Sequence, residues 1–206
     1  MNEQVMEKPK MDPKYIASLT VRLGVTCVVV ACLLGLVNMV TLPRITAAKN
    51  AATAEAMSAV MTGDGLIFDQ TDVTGDLSGL ASAQGGQLTE LYTVTQDGES
   101  AGLVMKISTS GSQGTIVMMV GTDAGDAVTG VSIVENSETP GIGSRVMSNE
   151  ATASGTPVLD QFIGKTPADG TLAVGSNVDG ISGATVSSRG VTAGVNAALA
   201  VAAAVD

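Results

Sequence analysis

The chain has 206 residues, of which 45% are hydrophobic and 15% charged, and its formal net charge is −10. This length allows about one domain of ordinary size, and the apolar content is typical neither of a disordered tail nor of a cytosolic enzyme. Histidine is absent, which excludes His-based catalytic triads, His-ligated haem and the usual catalytic zinc sites.

The first predicted element is an uncharged run of 20 residues at 23–42, LGVTCVVVACLLGLVNMVTL. As an α-helix it would be roughly 30 Å long, which matches the hydrocarbon core of a bilayer. A cleaved signal peptide has a shorter apolar core of about 7–15 residues and a small-residue cleavage site, whereas Pro43 and Arg44 follow this run directly. The run therefore predicts one retained transmembrane helix. The spacing of Cys27 and Cys32 within it does not place them on one helix face, so no metal site is predicted.

The basic residues around this run predict its orientation. Four of them precede the run and two follow it: Lys8, Lys10, Lys14 and Arg22, then Arg44 and Lys49. This excess favours a cytoplasmic N-terminus, with the rest of the chain on the outer face of a bacterial or archaeal cell membrane. Beyond residue 49 the chain carries 17 acidic and four basic residues, so its charge does not favour binding to nucleic acid or to anionic lipid.

Helix and turn signals open the outer part of the chain. Residues 46–61 are rich in Ala with Glu and Met, which favours a connecting helix over 43–62. Gly, Asp and Ser recur through 63–86 and predict irregular structure with short strands.

Four segments then show the alternation and the intervening turns of an antiparallel meander: 88–95, 101–109, 115–121 and 128–134. Within the second of them every other residue is apolar, at Leu103, Met105 and Ile107. Successive side chains of a strand point to opposite faces, so these three are expected on one side of the sheet.

Two helices complete the prediction. One is short and lies within 157–164, and the other is Ala-rich and covers 187–204, with Ser187 or Ser188 as its N-cap. The fold class is α+β, with a single N-terminal transmembrane helix, then an outer domain that has an antiparallel sheet and a C-terminal helix. The predicted boundaries are those of a cytoplasmic segment, the transmembrane helix, the connecting helix and the outer domain: 1–22, 23–42, 43–62 and 63–206.

One segment before the last helix has the residues of a ligand site. Asp179 to Ser188, DGISGATVSS, interleaves four hydroxyl side chains with small residues. A helix N-terminus presents free backbone N–H groups and the positive end of its dipole, which suits a phosphate. Spacing alone leaves a second interpretation open, in which the segment is a Ser-rich helix cap preceded by a turn.

Residues 182–185, Ser-Gly-Ala-Thr, with Asp179 before them and Ser187 after them, resemble the flavinylation motif of a known family of FMN-binding domains. This family includes the G subunit of the Rnf ion-pumping complex and the C subunit of the sodium-translocating NADH:quinone reductase. Two further blocks resemble the family in the same order: Glu138 to Gly143, ETPGIG, and Phe162 to Lys165, FIGK. The short chain favours the Rnf-type subunit.

The resemblance implies that a flavin transferase esterifies Thr185 to the phosphate of FMN. It also implies an electron-carrier subunit without catalytic residues of its own, working in a membrane complex that couples ferredoxin:NAD electron transfer to Na⁺ or H⁺ translocation. Other Rnf subunits are then the expected partners, and Asp179 is expected to be read by the transferase. The candidate FMN-binding residues are Glu138, Thr139, Lys165, Ser182, Gly183, Ala184, Thr185 and Arg189, with Lys165 and Arg189 chosen because their charges suit the phosphate.

Only three aromatic residues follow the predicted span: Phe68, Tyr92 and Phe162. A flavin held between two rings is hard to build from them, so a partly exposed flavin packed against the 138–143 loop is expected. Two alternatives stay open. One is a cofactor-free binding domain on a membrane anchor. The other, an extracytoplasmic enzyme that reduces an organic substrate, would need a further flavoprotein domain for which the chain has no room.

Overall fold

The computed structural model of the chain describes residues 13–205. These residues form two compact units that divide between Ala48 and Lys49. Lys8 and Lys10, on which the predicted orientation partly depends, lie outside the described residues, as does most of the predicted segment 1–22.

Helix α1 spans Pro13–Val60, so one helix covers both the predicted transmembrane run and the predicted connecting helix. In the first unit its apolar side chains are exposed, and the helix is long and apolar enough to cross a membrane. Hydroxyls of Thr20, Thr26 and Thr41 donate to the carbonyl four residues earlier at 2.9–3.0 Å, which satisfies these polar groups within the helix itself.

The second unit is built on a five-stranded antiparallel sheet in the order β1-β2-β3-β4-β5. The strands span Leu66–Thr71, Gly86–Gln96, Glu99–Ser110, Thr115–Asp123 and Val128–Asn136. Each strand pairs with the next in sequence, which confirms the meander and the α+β class.

Both faces of the sheet are covered. Helices α2 (Gly75–Ala83) and α4 (Thr185–Val205) pack on one face, over a core that contains the predicted set of Leu103, Met105 and Ile107. The final turns of α1 pack on the other face, against Val94, Val104 and Met119. Alternate residues of β3 therefore enter two separate cores. Helix α4 passes the length and composition test for a membrane span, but most of that window is buried in the domain.

The structure corrects two local predictions. Within 63–86, strand β1 is one of the predicted short strands, but Gly75–Ala83 forms helix α2 rather than irregular structure, because Leu77 packs against the core and overrides the turn-forming residues around it. Neither Ser187 nor Ser188 is the N-cap of the last helix, which begins at Thr185 and holds both serines in its first turns. The short predicted helix appears as a 3₁₀ turn over Asp160–Phe162.

Glycines let α4 lie close to the sheet. A Cβ at Gly190 would stand 2.6 Å from the Ser110 carbonyl oxygen, and one at Gly194 would stand 2.6 Å from the Met118 sulfur. These glycines lower helix propensity, but their lack of a side chain permits the close packing.

The end of α1 docks on the sheet in a similar way. The Thr129 hydroxyl donates to the Val60 carbonyl at 2.6 Å. A Cβ at Gly121 would lie 2.7 Å from the same carbonyl oxygen, and one at Gly130 would lie 3.0 Å from the Val60 Cα. The helix end therefore occupies a notch that only glycines leave open.

We predict that Gly121→Ala destabilises the protein by about 1–3 kcal/mol, because the added methyl overpacks this notch. Urea unfolding of the full chain in detergent, followed by circular dichroism, measures the change. Gly125→Ala is the matched control, since its nearest neighbour would be 3.5 Å away. Equal unfolding midpoints for the two variants would contradict the packing argument.

A half-buried polar cluster lies beside α1 on the same face. Lys106 Nζ donates to Glu90 at 2.9 Å, and the Tyr92 hydroxyl donates to the other Glu90 oxygen at 2.6 Å. Burial raises the pKa of Glu90, but the hydrogen bonds from Tyr92 and Lys106 outweigh it, so that pKa is lowered. Burial, and then the bond to Glu90, raises the pKa of Tyr92 to about 12.

We predict that Tyr92 titrates about two pH units above an unfolded tyrosine, whose pKa is about 10. Its contribution to stability is complete below the unfolded pKa and is lost as the pH rises through the folded value. Tyr15→Phe leaves Tyr92 as the sole tyrosine, so phenolate absorbance reports it directly. Adding Glu90→Gln should move the midpoint down toward about 10; an unchanged midpoint would exclude Glu90 as a cause.

Candidate functional site

Thr185 is the first residue of α4, and its side chain is exposed. A tight turn leads into it, in which the Ala184 N–H donates to the Ile181 carbonyl at 2.9 Å and Gly183 has φ +83°. The Ser188 hydroxyl accepts from the Ile181 N–H at 3.2 Å and donates to the Ala184 carbonyl at 3.0 Å. Ser188 therefore fastens the turn to the helix that follows it.

The residues around Thr185 differ in accessibility. Ser182 and Gly183 are exposed with it, whereas Ala184 is buried. Arg189 is exposed one helical turn further along and lines a cavity of about 430 Å³ on that side of α4. This end of the helix therefore offers a hydroxyl, the free N–H groups of a first turn and a nearby cation.

Glu138, from the second block, is buried at 7% exposure and is held by protein groups. One carboxylate oxygen accepts from the backbone N–H groups of Ser112 and Gln113, at 2.7 and 3.3 Å. The other oxygen accepts from the Ser187 hydroxyl at 2.6 Å. These donors replace the water that a buried carboxylate would otherwise need.

Two glycines make room for this carboxylate. A Cβ at Gly111 would collide with one Glu138 oxygen, and a Cβ at Gly143 would collide with the other. The Gly143 Cβ would also stand 2.8 Å from the Ser187 hydroxyl oxygen. The 138–143 loop and the start of α4 are thus in direct contact.

The rest of this loop is a compact turn. The Thr139 carbonyl accepts from the N–H groups of Ile142 and Ser144 at 3.2 Å, and the Ser144 hydroxyl accepts from the Gly141 N–H at 2.8 Å. A short helix, α3 (Ser144–Met147), continues from it. Thr139 is half-buried and Ile142 is exposed.

The third block borders β5. Gly164 N–H donates to the Val128 carbonyl at 2.7 Å, and Val128 N–H donates to the Lys165 carbonyl at 2.9 Å. The Lys165 side chain is half-buried and lies close enough to Asp169 to contribute to its lowered pKa, after the larger effect of the Thr166 hydrogen bonds. Lys165 therefore lies near Asp169.

Amide side chains tie these blocks together. Gln161 donates to the Asp179 carbonyl at 2.8 Å and accepts from the Asp179 N–H at 2.7 Å. Asn149 accepts from the Leu159 N–H at 2.7 Å and donates to Asp160 at 2.7 Å. Neither amide is predicted from the sequence, because an isolated Gln or Asn carries no signal of the distant backbone that it binds.

Exposed aliphatic residues accompany the three blocks. Ile142, Ile163 and Val186 are each 52–53% exposed, and one lies in or directly beside each block. Val186 adjoins Ser187, and Ile142 adjoins Gly143, so these two flank the contact described above. Among residues 13–205 no group of three or more acidic or cysteine side chains is arranged to hold a metal.

Comparisons with known proteins agree with this geometry. Residues 111–200, which contain all three blocks, match the FMN-binding domain family. The G subunit of the Na⁺-translocating ferredoxin:NAD⁺ oxidoreductase complex of Acetobacterium woodii is 32% identical over 96% of this chain and 97% of its own length.

The chain belongs to the family of G subunits of ion-translocating oxidoreductase complexes. Two further members are the G subunits from Methanosarcina acetivorans, 29% identical over 91% of this chain and 95% of its own length, and from Stutzerimonas stutzeri, 29% identical over 86% and 76%. The resemblance found in the sequence is confirmed. This member of the family is an electron-transport subunit with an FMN-binding domain.

We predict that Gln161→Ala destabilises the domain by about 0.5–1.5 kcal/mol, the net contribution of a typical hydrogen bond, since the exposed Asp179 backbone groups lose their partner but can bind water instead. The urea unfolding midpoint of the full chain in detergent reports this. Gln113→Ala is the control, because the contact of Gln113 with Glu138 is made by its backbone N–H, which the substitution keeps. Similar midpoints for the two variants would show that the amide contributes little.

Proposed function

We propose that this protein carries FMN on Thr185 through a phosphoester and passes electrons within an Rnf-type membrane complex. One observation carries the proposal: an exposed threonine hydroxyl stands at the first residue of α4, inside the segment that matches the FMN-binding domain. That match favours a flavin carrier over a cofactor-free binding domain.

The surroundings of Thr185 fit the phosphate end of FMN. The first-turn N–H groups of α4 and the helix dipole favour an anion at this point. Exposed Ser182 and Gly183 leave space beside the hydroxyl, and the φ of Gly183 is one that larger residues rarely adopt. Arg189, at i+4 from Thr185, supplies positive charge on the same side of the helix.

Ester formation needs an activated flavin phosphate, because condensation of a hydroxyl with a free phosphate is unfavourable in water. A donor in which the flavin phosphate is part of a pyrophosphate meets this need. The bond from the Thr185 oxygen to phosphorus forms, the pyrophosphate P–O bond breaks, a nucleoside monophosphate leaves and the hydroxyl proton passes to a base. A dedicated flavin transferase supplies the catalytic groups for this step.

The remaining candidate residues divide by position. Thr139 and the exposed Ile142 border the start of α4 and are suited to contact the ring of a tethered flavin. Glu138 lies behind them, with both oxygens bound to protein groups. Lys165 belongs to the neighbouring 160s segment and adds positive charge to an acidic domain.

Flavin chemistry supplies one- and two-electron transfer when the cofactor is bound, while the protein fixes its position and access. Exposure of Thr185, Ile142 and Val186 suits a carrier that must approach neighbouring redox centres in other subunits. By analogy with the name of the Acetobacterium woodii relative, we propose ferredoxin and NAD⁺ as the terminal reactants of the complex, with Na⁺ or H⁺ as the ion moved. We further propose that α1 anchors the chain with its N-terminus in the cytoplasm and the FMN domain outside.

We predict that Thr185→Ala abolishes covalent flavin attachment. The full chain is co-expressed with a flavin transferase and compared by intact mass and by flavin fluorescence on a denaturing gel. The native chain should gain the mass of one FMN less water, and the variant should gain none. Ser176→Ala removes an exposed hydroxyl that precedes the motif; it is the control and should remain flavinylated.

An unmodified native chain beside an active transferase would contradict the proposal. Flavin attachment to Thr185→Ala at the native level would show that the protein carries a covalent flavin, but at a residue other than Thr185.

A further inference from the structure

We propose that Glu138 and Ser187 are positioning residues for flavin attachment, acting together to orient Thr185 from behind. This inference rests on the proposed function and adds to it, because the family resemblance suggested Glu138 as a residue that binds the flavin itself. The burial and the hydrogen-bond partners of the carboxylate support the positioning role instead.

Both oxygens of the Glu138 carboxylate already accept hydrogen bonds from protein groups. Glu138 is 7% exposed, and its three hydrogen-bond donors, Ser112, Gln113 and Ser187, all come from the protein. Turning the second oxygen outward to a ligand would leave the buried Ser187 hydroxyl without this partner, and turning the first would break the bonds to the Ser112 and Gln113 N–H groups. A Cβ at Gly111 or Gly143 would collide with this carboxylate, so glycine at both positions is what leaves room for it.

The bonds of Glu138 join three parts of the chain. Its own segment follows the end of β5, Ser112 and Gln113 lie in the turn between β3 and β4, and Ser187 is in the first turn of α4. Three residues later, Gly190 lies close to the Ser110 carbonyl at the end of β3, so α4 has a second close contact near this turn. Two contacts at different positions fix both the position of α4 along its own axis and its rotation about that axis.

Rotation matters because Thr185 and Ser187 are two residues apart in a helix, which places their side chains about 200° apart around the axis. The Ser187 side chain is buried and the Thr185 side chain is exposed, as this angle requires. Holding Ser187 to Glu138 therefore aims the Thr185 hydroxyl outward. Ser188 has a different role, since its hydroxyl bonds to Ile181 and Ala184 in the adjoining turn.

The test uses the full chain in detergent, a purified flavin transferase and its flavin donor, with the rate of mass gain as the readout. Ser187→Ala should slow attachment by about ten- to a hundredfold, the loss expected when a reacting group is misplaced by about 1 Å. Ser187→Thr keeps the hydroxyl and should restore the rate. Glu138→Gln keeps the shape of the side chain but loses an acceptor, and should also slow attachment.

Thr129→Val is the matched control, because it too removes a hydroxyl bond of 2.6 Å, on the opposite face of the sheet. It should lower thermal stability but leave the attachment rate unchanged. Hydrogen exchange of the unloaded protein gives a readout independent of flavin. Ser187→Ala should speed exchange both at residues 179–190 and at the amides of Ser112 and Gln113, whereas Thr129→Val should not.

A wild-type attachment rate for Ser187→Ala would overturn the inference, as would an equal slowing by Thr129→Val, which would indicate general destabilisation. Unchanged hydrogen exchange at Ser112 and Gln113 in Ser187→Ala would show that Glu138 does not couple Ser187 to the turn between β3 and β4. If Ser187→Ala does not fold, the attachment rate of Glu138→Gln tests the inference instead, and a wild-type rate for that variant would overturn it. Failure of the native chain to load at Thr185 is a separate result, which rejects the proposed function.

Discussion

Burial of both faces of the five-stranded sheet is the constraint on which the outer unit depends. Apolar side chains are buried on both sides of the sheet, such as Met105 on one side and Val104 on the other, so each face needs a covering layer. Helix α4 and α2 supply one layer, and the last turns of α1 supply the other. The same constraint helps to place the site, because α4 covers one face of the sheet and Thr185 is its first residue.

The helices pack on the sheet by close approach of their backbones rather than through large side chains. The domain has few aromatic residues, and its helices meet the sheet through glycine and alanine. Gly190 and Gly194 bring α4 onto β3 and β4, while Gly121 and Gly130 receive the end of α1. Backbones that lie this close leave the helices little freedom to slide along the sheet, which suits a protein that must hold a cofactor at a defined place.

The site combines exposed residues around Thr185 with side chains that are held by hydrogen bonds to distant parts of the chain. Thr185, Ile142 and Val186 are exposed, so neighbouring molecules can reach them. Behind them the Glu138 carboxylate and the Gln161 amide bind backbone groups of distant segments. An electron carrier benefits from this division, because electron transfer needs close approach by partners, whereas orientation needs side chains that do not move.

The sequence by itself determined the long apolar helix, the meander, the Ala-rich last helix and the three blocks that identify the family, because each of these depends on local composition, period or an ordered motif. Only the tertiary structure decided the rest. Helix α2 exists because of packing against the core, which outweighs the turn signals of its residues. The helix starts at Thr185 rather than after a serine cap, because Ser187 and Ser188 bond to Glu138 and to the preceding turn. Contacts between residues 49 positions apart, such as Glu138 with Ser187, leave no local pattern from which they can be predicted.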